Sequence, residues 1–233
     1  MLQIKDRSQI VEWVKYNPYH DRLGKFASGG AGGAPLPSIS SFTSEGNLDK
    51  TSKELFGRVL TEKEWGGLVG APDGAAVHII ARKGDAVVRV THLKDEFFGL
   101  EVGYSNLYGT KAVDLISMNV ASNAPPGTGT KMAAHIVSNA RVSGFETVRL
   151  YAARDSGTKN GYYTWARLGW NANLSARAAQ DFGASDLHSL MKTAKGRKTW
   201  MREGFGIKME FDLSPSSPST KIFNAYLKKR GWG

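Results

Sequence analysis

Between Pro125 and Lys131 the chain reads Pro-Pro-Gly-Thr-Gly-Thr-Lys, and the residues Met132, Ala133, Ile136, Val137 and Ala140 that follow repeat at helical spacing. Gly127 and Gly129 carry no Cβ, so backbone N–H groups there can approach a ligand closely. A helix starting at this point presents unpaired first-turn N–H groups and the positive end of its dipole. The chemistry on offer is anion binding, with a phosphate or pyrophosphate as ligand; a sharp turn with no ligand uses the same residues. Two nucleotide signatures are excluded. No Gly stands five residues before a Gly-Lys-Ser/Thr triplet, and GTGTKM lacks the third small residue of the dinucleotide fingerprint. Glu101 and Asp114 lie in β-rich runs and are either bases for proton abstraction or solvated strand residues. His20, Asp21 and Ser28 have the residue types of a nucleophilic triad, but their Gly-rich surroundings fix none of them. His78 and His92 form neither an HxH nor an HxxxH pair, so no metal site is expected. The absence of cysteine excludes disulfides, thiolate nucleophiles and Cys-based zinc sites, and suits a reducing compartment.

The elements that must position these residues follow from periodicity. Lys111–Val120 and Thr147–Ala153 are apolar, β-rich runs, and Asn160–Leu168 is a short helical pattern ending at Gly169. The order is strand, Gly-rich turn, helix, strand, helix, and a crossover of this length joins parallel strands. Upstream, Leu48–Arg58 reads as a helix. Thr61 reads as the N-cap of a second helix, with Glu62 and Glu64 in its first turn and Gly66, Gly67 and Gly70 ending it. Ala75–Arg82, Ala86–Leu93 and Phe97–Tyr104 read as strands, the first two joined by a tight turn at Lys83-Gly84-Asp85. Residues 38–50 are Ser- and Thr-rich and read as loop. Downstream, Asn171–Ser185 is small and polar, Asp186–Thr193 reads as a short helix, and Lys195-Gly-Arg-Lys198 as a basic turn. Gly206–Leu213 alternates as a strand, and Thr220–Arg230 is a helix with cations at its C-terminus.

The stretch from Lys111 to Trp170 resembles the acetyl-CoA-binding core of the GCN5-related N-acetyltransferases, whose signature is a strand, a Q/R-x-x-G-x-G/A loop opening a helix, a strand, and a helix ending like FY-E-K-L-G-F. Here the strand ends LISMNV, the loop runs from Ala124 to Thr130, and the last helix ends Thr164-Trp-Ala-Arg-Leu-Gly-Trp170. Order and spacing agree over about 60 residues. Ala124 replaces the usual Gln or Arg, and Trp165 stands where the family's tyrosine, the acid for the departing thiolate, is usual. The resemblance implies a mixed α/β (α+β) fold: a mostly antiparallel sheet with a central parallel strand–helix–strand unit and flanking helices. It places a first strand before the two early helices, which here must come from residues 38–43 or be missing. It also implies acetyl-CoA as cosubstrate, with no metal. The pyrophosphate would rest on N–H groups of Gly127, Thr128, Gly129, Thr130 and Lys131. The pantetheine arm would lie along Met118, Asn119 and Val120 where the central strands splay, and Asn160 would cap the last helix or touch the cofactor. Tyr163 is then the substitute acid and Glu101 the candidate base.

The segment NPYHDRLGKFASGG resembles a motif of tailed-bacteriophage proteins, found beside head-morphogenesis regions or effector domains. This implies a phage or prophage origin, a place in the host bacterial cytoplasm or the virion, and a docking peptide for a phage head or host protein at residues 16–30. A helix is expected over residues 4–16, and Gly29–Gly33 with Pro35 and Pro37 reads as a linker. The expected organisation is a peptide and linker (1–37), a core (38–173) and a basic extension completing the sheet (174–233). The 233 residues suffice for a substantial core, no apolar run is long enough to span a membrane, and no secretory signal is evident. Of the net charge of +10, residues 174–233 carry +6. Such a surplus attracts nucleic acid, an anionic cofactor or an acidic protein surface, or serves solubility alone. Three readings follow: a phage N-acetyltransferase acting on an amine of a protein or small molecule, a non-catalytic virion or adaptor protein of the same fold, and a nucleic-acid-binding protein.

Overall fold

The computed structural model describes residues 36–71, 73–92, 99–107, 109–120, 127–155 and 160–231. The expected helix over 4–16, the 16–30 motif with His20, Asp21 and Ser28, the linker, Phe97, and the loop residues Ala124, Pro125 and Pro126 lie outside the described residues.

Among the described residues, seven strands form one mixed sheet in which spatial order repeats chain order. They are β1 (Ile39–Glu45), β2 (Ala75–Arg82), β3 (Asp85–His92), β4 (Gly99–Leu107), β5 (Thr110–Asn119), β6 (Thr147–Ala152) and β7 (Ile207–Asp212). The pairs β1–β2 and β5–β6 are parallel and the other four antiparallel. Each parallel pair needs a crossover. Helices α1 (Leu48–Phe56) and α2 (Glu62–Leu68) supply the first, and α3 (Thr128–Val142) the second. After β6 come α4 (Gly161–Arg167), α5 (Ala176–Phe182), α6 (Leu187–Met191) and α7 (Ala194–Glu203); α8 (Pro218–Lys229) follows β7.

The class is therefore mixed α/β, mostly antiparallel, with a parallel strand–helix–strand unit. Three local expectations are corrected. Residues 39–45 are not loop but the first strand that the fold resemblance required from residues 38–43: Phe42 pairs with Val77 and packs against the core, while Ser41 and Thr43 point away. Gly66 and Gly67 do not end α2. The helix runs to Leu68, and the buried Asn139 side chain of α3 donates to the carbonyls of Gly67 (2.9 Å) and Leu68 (2.8 Å). Lys195–Lys198 is not a turn but the first part of α7, capped by Thr193. Its glycine reflects close approach, because a Cβ on Gly196 would lie 1.9 Å from the carbonyl oxygen of Leu190. The small, polar stretch 171–185 also contains α5, with Ser175 as N-cap and Gly183 as left-handed C-cap.

Strand alternation sets the core. Val77, Val88, Val102, Val113, Leu150 and Phe211 face the helices and are buried. Leu55, Trp65, Ile136 and Phe223 cover them, and an edge-on ring cluster links Phe56 to Trp65 (5.4 Å between centroids) and Tyr104 (5.7 Å).

The start of α2 carries a pH-sensitive contact. Thr61 and Glu64 form a reciprocal capping box, and Arg58 reaches Glu64 at 2.7 Å. Burial works against the Glu64 charge, but hydrogen bonds from Arg58 and from the Thr61 N–H and hydroxyl outweigh it and hold its pKa below the usual value. A lowered carboxylate pKa gives stability that is complete above the unfolded value of about 4.3 and fades as pH falls through the folded value. Glu64→Gln is expected to cost about 1–2 kcal/mol at pH 7 and less at pH 3.5. Urea unfolding of both proteins at the two pH values checks this; an equal cost at both would assign the loss to something other than the charge.

Candidate functional site

The site begins where two strands part. β5 and β6 pair from Ala112↔Thr147 to Leu115↔Leu150 and no further. Beyond that point β5 continues on β4, with Leu100↔Met118 and Gly99↔Asn119, and β6 continues on β7, with Tyr151↔Lys208 and Ala152↔Ile207. A bulge prepares the parting: Val102 pairs with Leu115 but Glu101 pairs with Ser117, so Ile116 is the extra residue. The last four residues of β5 thus present an edge to the gap.

The first turn of α3 closes one side of the gap. Gly127 precedes it at φ 90°, a left-handed conformation that glycine adopts without strain. Among the described residues no side chain caps α3, and no acidic residue stands in its first turn. The N–H groups of Thr128, Gly129 and Thr130 therefore keep the unpaired character of a helix start. A Cβ on Gly129 would lie 3.6 Å from Val120 Cγ2 and 3.9 Å from Met118 Sδ, so the turn rests against the end of β5. The expected anion turn and the expected strand edge, Met118 to Val120, are in contact. Lys131 corrects the expected donor set, because its N–H donates to the Gly127 carbonyl at 3.0 Å as the first bond of the helix.

Asn160 lies at the start of α4 but does not cap it with its side chain. Its carbonyl accepts from the N–H groups of Tyr163 and Thr164, and its Oδ1 accepts from the Thr164 hydroxyl at 3.1 Å. Tyr162 N donates to the Ala153 carbonyl and holds α4 against the end of β6. The buried Tyr162 hydroxyl donates to the Met201 carbonyl at 2.6 Å, which removes it as a proton donor. Tyr163 is half-buried, with the Arg167 guanidinium 5.5 Å from its ring; Arg167 also lies 5.7 Å from the Tyr226 ring of α8. Trp165 packs edge-on against the buried Trp170 at 4.9 Å. Leu168 and Trp170 are core residues, so the Leu-Gly-Trp ending anchors α4.

The two carboxylates differ. Glu101 sits on β4, opposite the bulge and one strand from the gap, with Arg89 Nε at 3.3 Å. Asp114 is clamped by Arg149, whose Nε and Nη2 donate at 2.8 and 2.6 Å. That hydrogen bonding outweighs burial and holds the guanidinium charged. Asp114 is thereby committed to the sheet, whereas Glu101 pairs with Ser117, in the part of β5 that borders the gap.

Apart from Asp114, residues not singled out from the sequence form the sheet's other face. Asp114, Arg149 and Glu210 make one row across β5, β6 and β7. Tyr151 and Lys208 make the next, beside Ile116. With Asn171, Asn173 and His188 as a wall, they line a concavity of about 900 Å³. The alternation of β6 (Thr147, Arg149, Tyr151) and β7 (Lys208, Glu210, Asp212) was visible in the sequence, but not that the two rows meet.

No protein-family model and no curated protein matches this chain. Among the described residues, no group of three or more His, Asp or Glu is placed to hold a metal ion, and no helix is long and apolar enough to cross a membrane.

Proposed function

We propose that the chain is an acyl-CoA-dependent N-acyltransferase of the GCN5-related type, using acetyl-CoA to acylate an amine. The carrying observation is the β5–β6 gap opening after Leu115↔Leu150, with the uncapped start of α3 against Met118 and Val120 on its border. In this reading the pyrophosphate accepts hydrogen bonds from the N–H groups of Thr128, Gly129 and Thr130. The pantetheine arm pairs with the exposed edge of β5 as an added strand would. The amine nitrogen attacks the thioester carbonyl carbon; the C–N bond forms, the C–S bond breaks, and the thiolate takes up a proton. Glu101 is the base, through water, and Tyr163 the acid. The phage origin rests on the 16–30 motif alone.

A second reading, a non-catalytic protein of the same fold, is favoured by the acid's place in α4: Trp165 packs on Trp170 there, and the neighbouring Tyr162 hydroxyl is already bonded. Calorimetric titration with acetyl-CoA, paired with release of CoA thiol in the presence of amines, separates the two. The chain has no cysteine, so a thiol reagent reads only the product. Saturable binding with turnover is expected, and Glu101→Gln should lower kcat about 100-fold with KM for acetyl-CoA unchanged. Binding without turnover selects the second reading, and no saturation below about 1 mM removes the first.

A further inference from the structure

The chain carries +10 overall, yet the concavity on the open sheet face inverts that sign. Its lining holds three carboxylates, Asp114, Glu210 and Asp212, against Arg149 and Lys208. Asp114 is neutralised by Arg149, and Asp212 accepts from the Ser214 N–H at 2.8 Å. Glu210 is exposed and lies directly across from Arg149, whose positive charge it shares with Asp114, and no hydrogen bond to its carboxylate is made among the described residues. One strand row away, at the mouth of the gap, lie two apolar surfaces open to solvent: Tyr151, 63% exposed, and Ile116, 52% exposed. An exposed aromatic beside an exposed branched aliphatic suits a chain of methylenes, and a ring face also attracts a cation.

We propose that this concavity binds a short aliphatic diamine, and that this diamine is the acyl acceptor; the second clause rests on the transferase reading above. Glu210 holds the distal ammonium. The methylenes lie over Tyr151 and Ile116, and the proximal nitrogen reaches the gap. The two rows are two residues apart along the strand, about 7 Å, which is the reach of a short diamine. Lys208, directly opposite Tyr151, gives the two nitrogens different chemistry. A fixed cation disfavours a second positive charge beside it, so the proximal amine is the one that sheds its proton and becomes nucleophilic. The distal amine, beside a carboxylate, keeps its proton. The volume of about 900 Å³ lies within the range of small-molecule sites.

The test uses the full chain without CoA. 1,5-Diaminopentane is titrated by calorimetry against the native protein, Glu210→Gln, Tyr151→Ala and Gly129→Glu, with 1-aminopentane as the one-charge probe. Saturable diamine binding is expected, weakened about fivefold by Glu210→Gln and by Tyr151→Ala and unchanged by Gly129→Glu. The monoamine should bind the native chain only as weakly as the diamine binds Glu210→Gln. A monoamine equal to the diamine, an unaffected Glu210→Gln, or no saturation below about 50 mM overturns the proposal. Acetyl-CoA binding is read separately. If acetyl-CoA binds and the diamine does not, this inference falls and the transferase stands. If the diamine binds through Glu210 and acetyl-CoA does not, the site stands and its acceptor role falls with the transferase.

Discussion

Gly129→Glu is expected to abolish acetyl-CoA binding, a loss of at least about 100-fold, or about 3 kcal/mol, while the protein stays folded. Position 129 is the second residue of α3, where a carboxylate complements the positive helix end and helps the helix by about 0.3–1 kcal/mol. The same carboxylate occupies and neutralises the place assigned to the pyrophosphate. Stability and binding must therefore move in opposite directions, which general misfolding would not produce. Gly129→Ala is the control. Its methyl group would meet Val120 and Met118 at ordinary contact distance, so affinity within about threefold of native is expected. Calorimetry for binding and thermal unfolding for stability read both effects. Native affinity in the glutamate variant would mean the phosphates lie elsewhere.

Trp200→Ala is expected to be the most destabilising single change, by about 3–5 kcal/mol. Trp200 is fully buried in α7, with Phe182 and Phe205 each 5.3 Å away and Tyr162 at 6.1 Å. Its indole N–H donates to the Tyr162 carbonyl at 3.0 Å, while the Tyr162 hydroxyl donates back to Met201. Arg154 adds bonds to the carbonyls of Arg202 (2.9 Å) and Gly204 and lies over the Tyr162 ring. These contacts bind α7 to α4 and to the end of β6, so losing the indole frees the whole excursion from α5 to α7. Trypsin should then cut first at Lys195, Arg197 or Lys198. Trp200→Phe keeps much of the packing and loses the N–H, for about 1–2 kcal/mol. Urea unfolding measures both, and a cost below about 1 kcal/mol for the alanine variant would show that other contacts carry the attachment.

The sequence disclosed what lies close together along the chain. The β2–β3 hairpin was readable because Lys83-Gly84-Asp85 separates two alternating runs, and Gly84 does take a positive φ. The turn at Gly127 was readable because two glycines precede a helical repeat. Other features depend on partners far apart in sequence. The Ile116 bulge breaks a two-residue period by one, which a single strand does not reveal without its neighbour. Tyr162 and Tyr163 are adjacent and alike, yet one is spent on Met201 while the other lies beside Arg167 of its own helix; it is the placement of α7 that separates them. The helix over 187–191 was readable, but the helical nature of 176–182 and 194–203 was obscured by small residues and by Gly196, whose role is contact with α6. Nothing along the chain marks Glu210; its setting comes from Arg149, directly across on β6, and from Tyr151 in the next row.

The identity of strand order and chain order has a consequence for how the molecule is made. Each strand that leaves the ribosome after β2 finds its hydrogen-bonding neighbour already synthesised, and nothing must be threaded between strands in place. The sheet can grow in one direction, one strand at a time. The late pairs are of unequal difficulty: β4 meets β5 through a tight reversal, while β7 must wait until some fifty residues after β6 have been made. During that interval the edge of β6 is exposed, and the three helices around Trp200 are the segment being made. Their early collapse onto Tyr162 would bring the far end of the excursion, and β7 with it, back to the waiting edge.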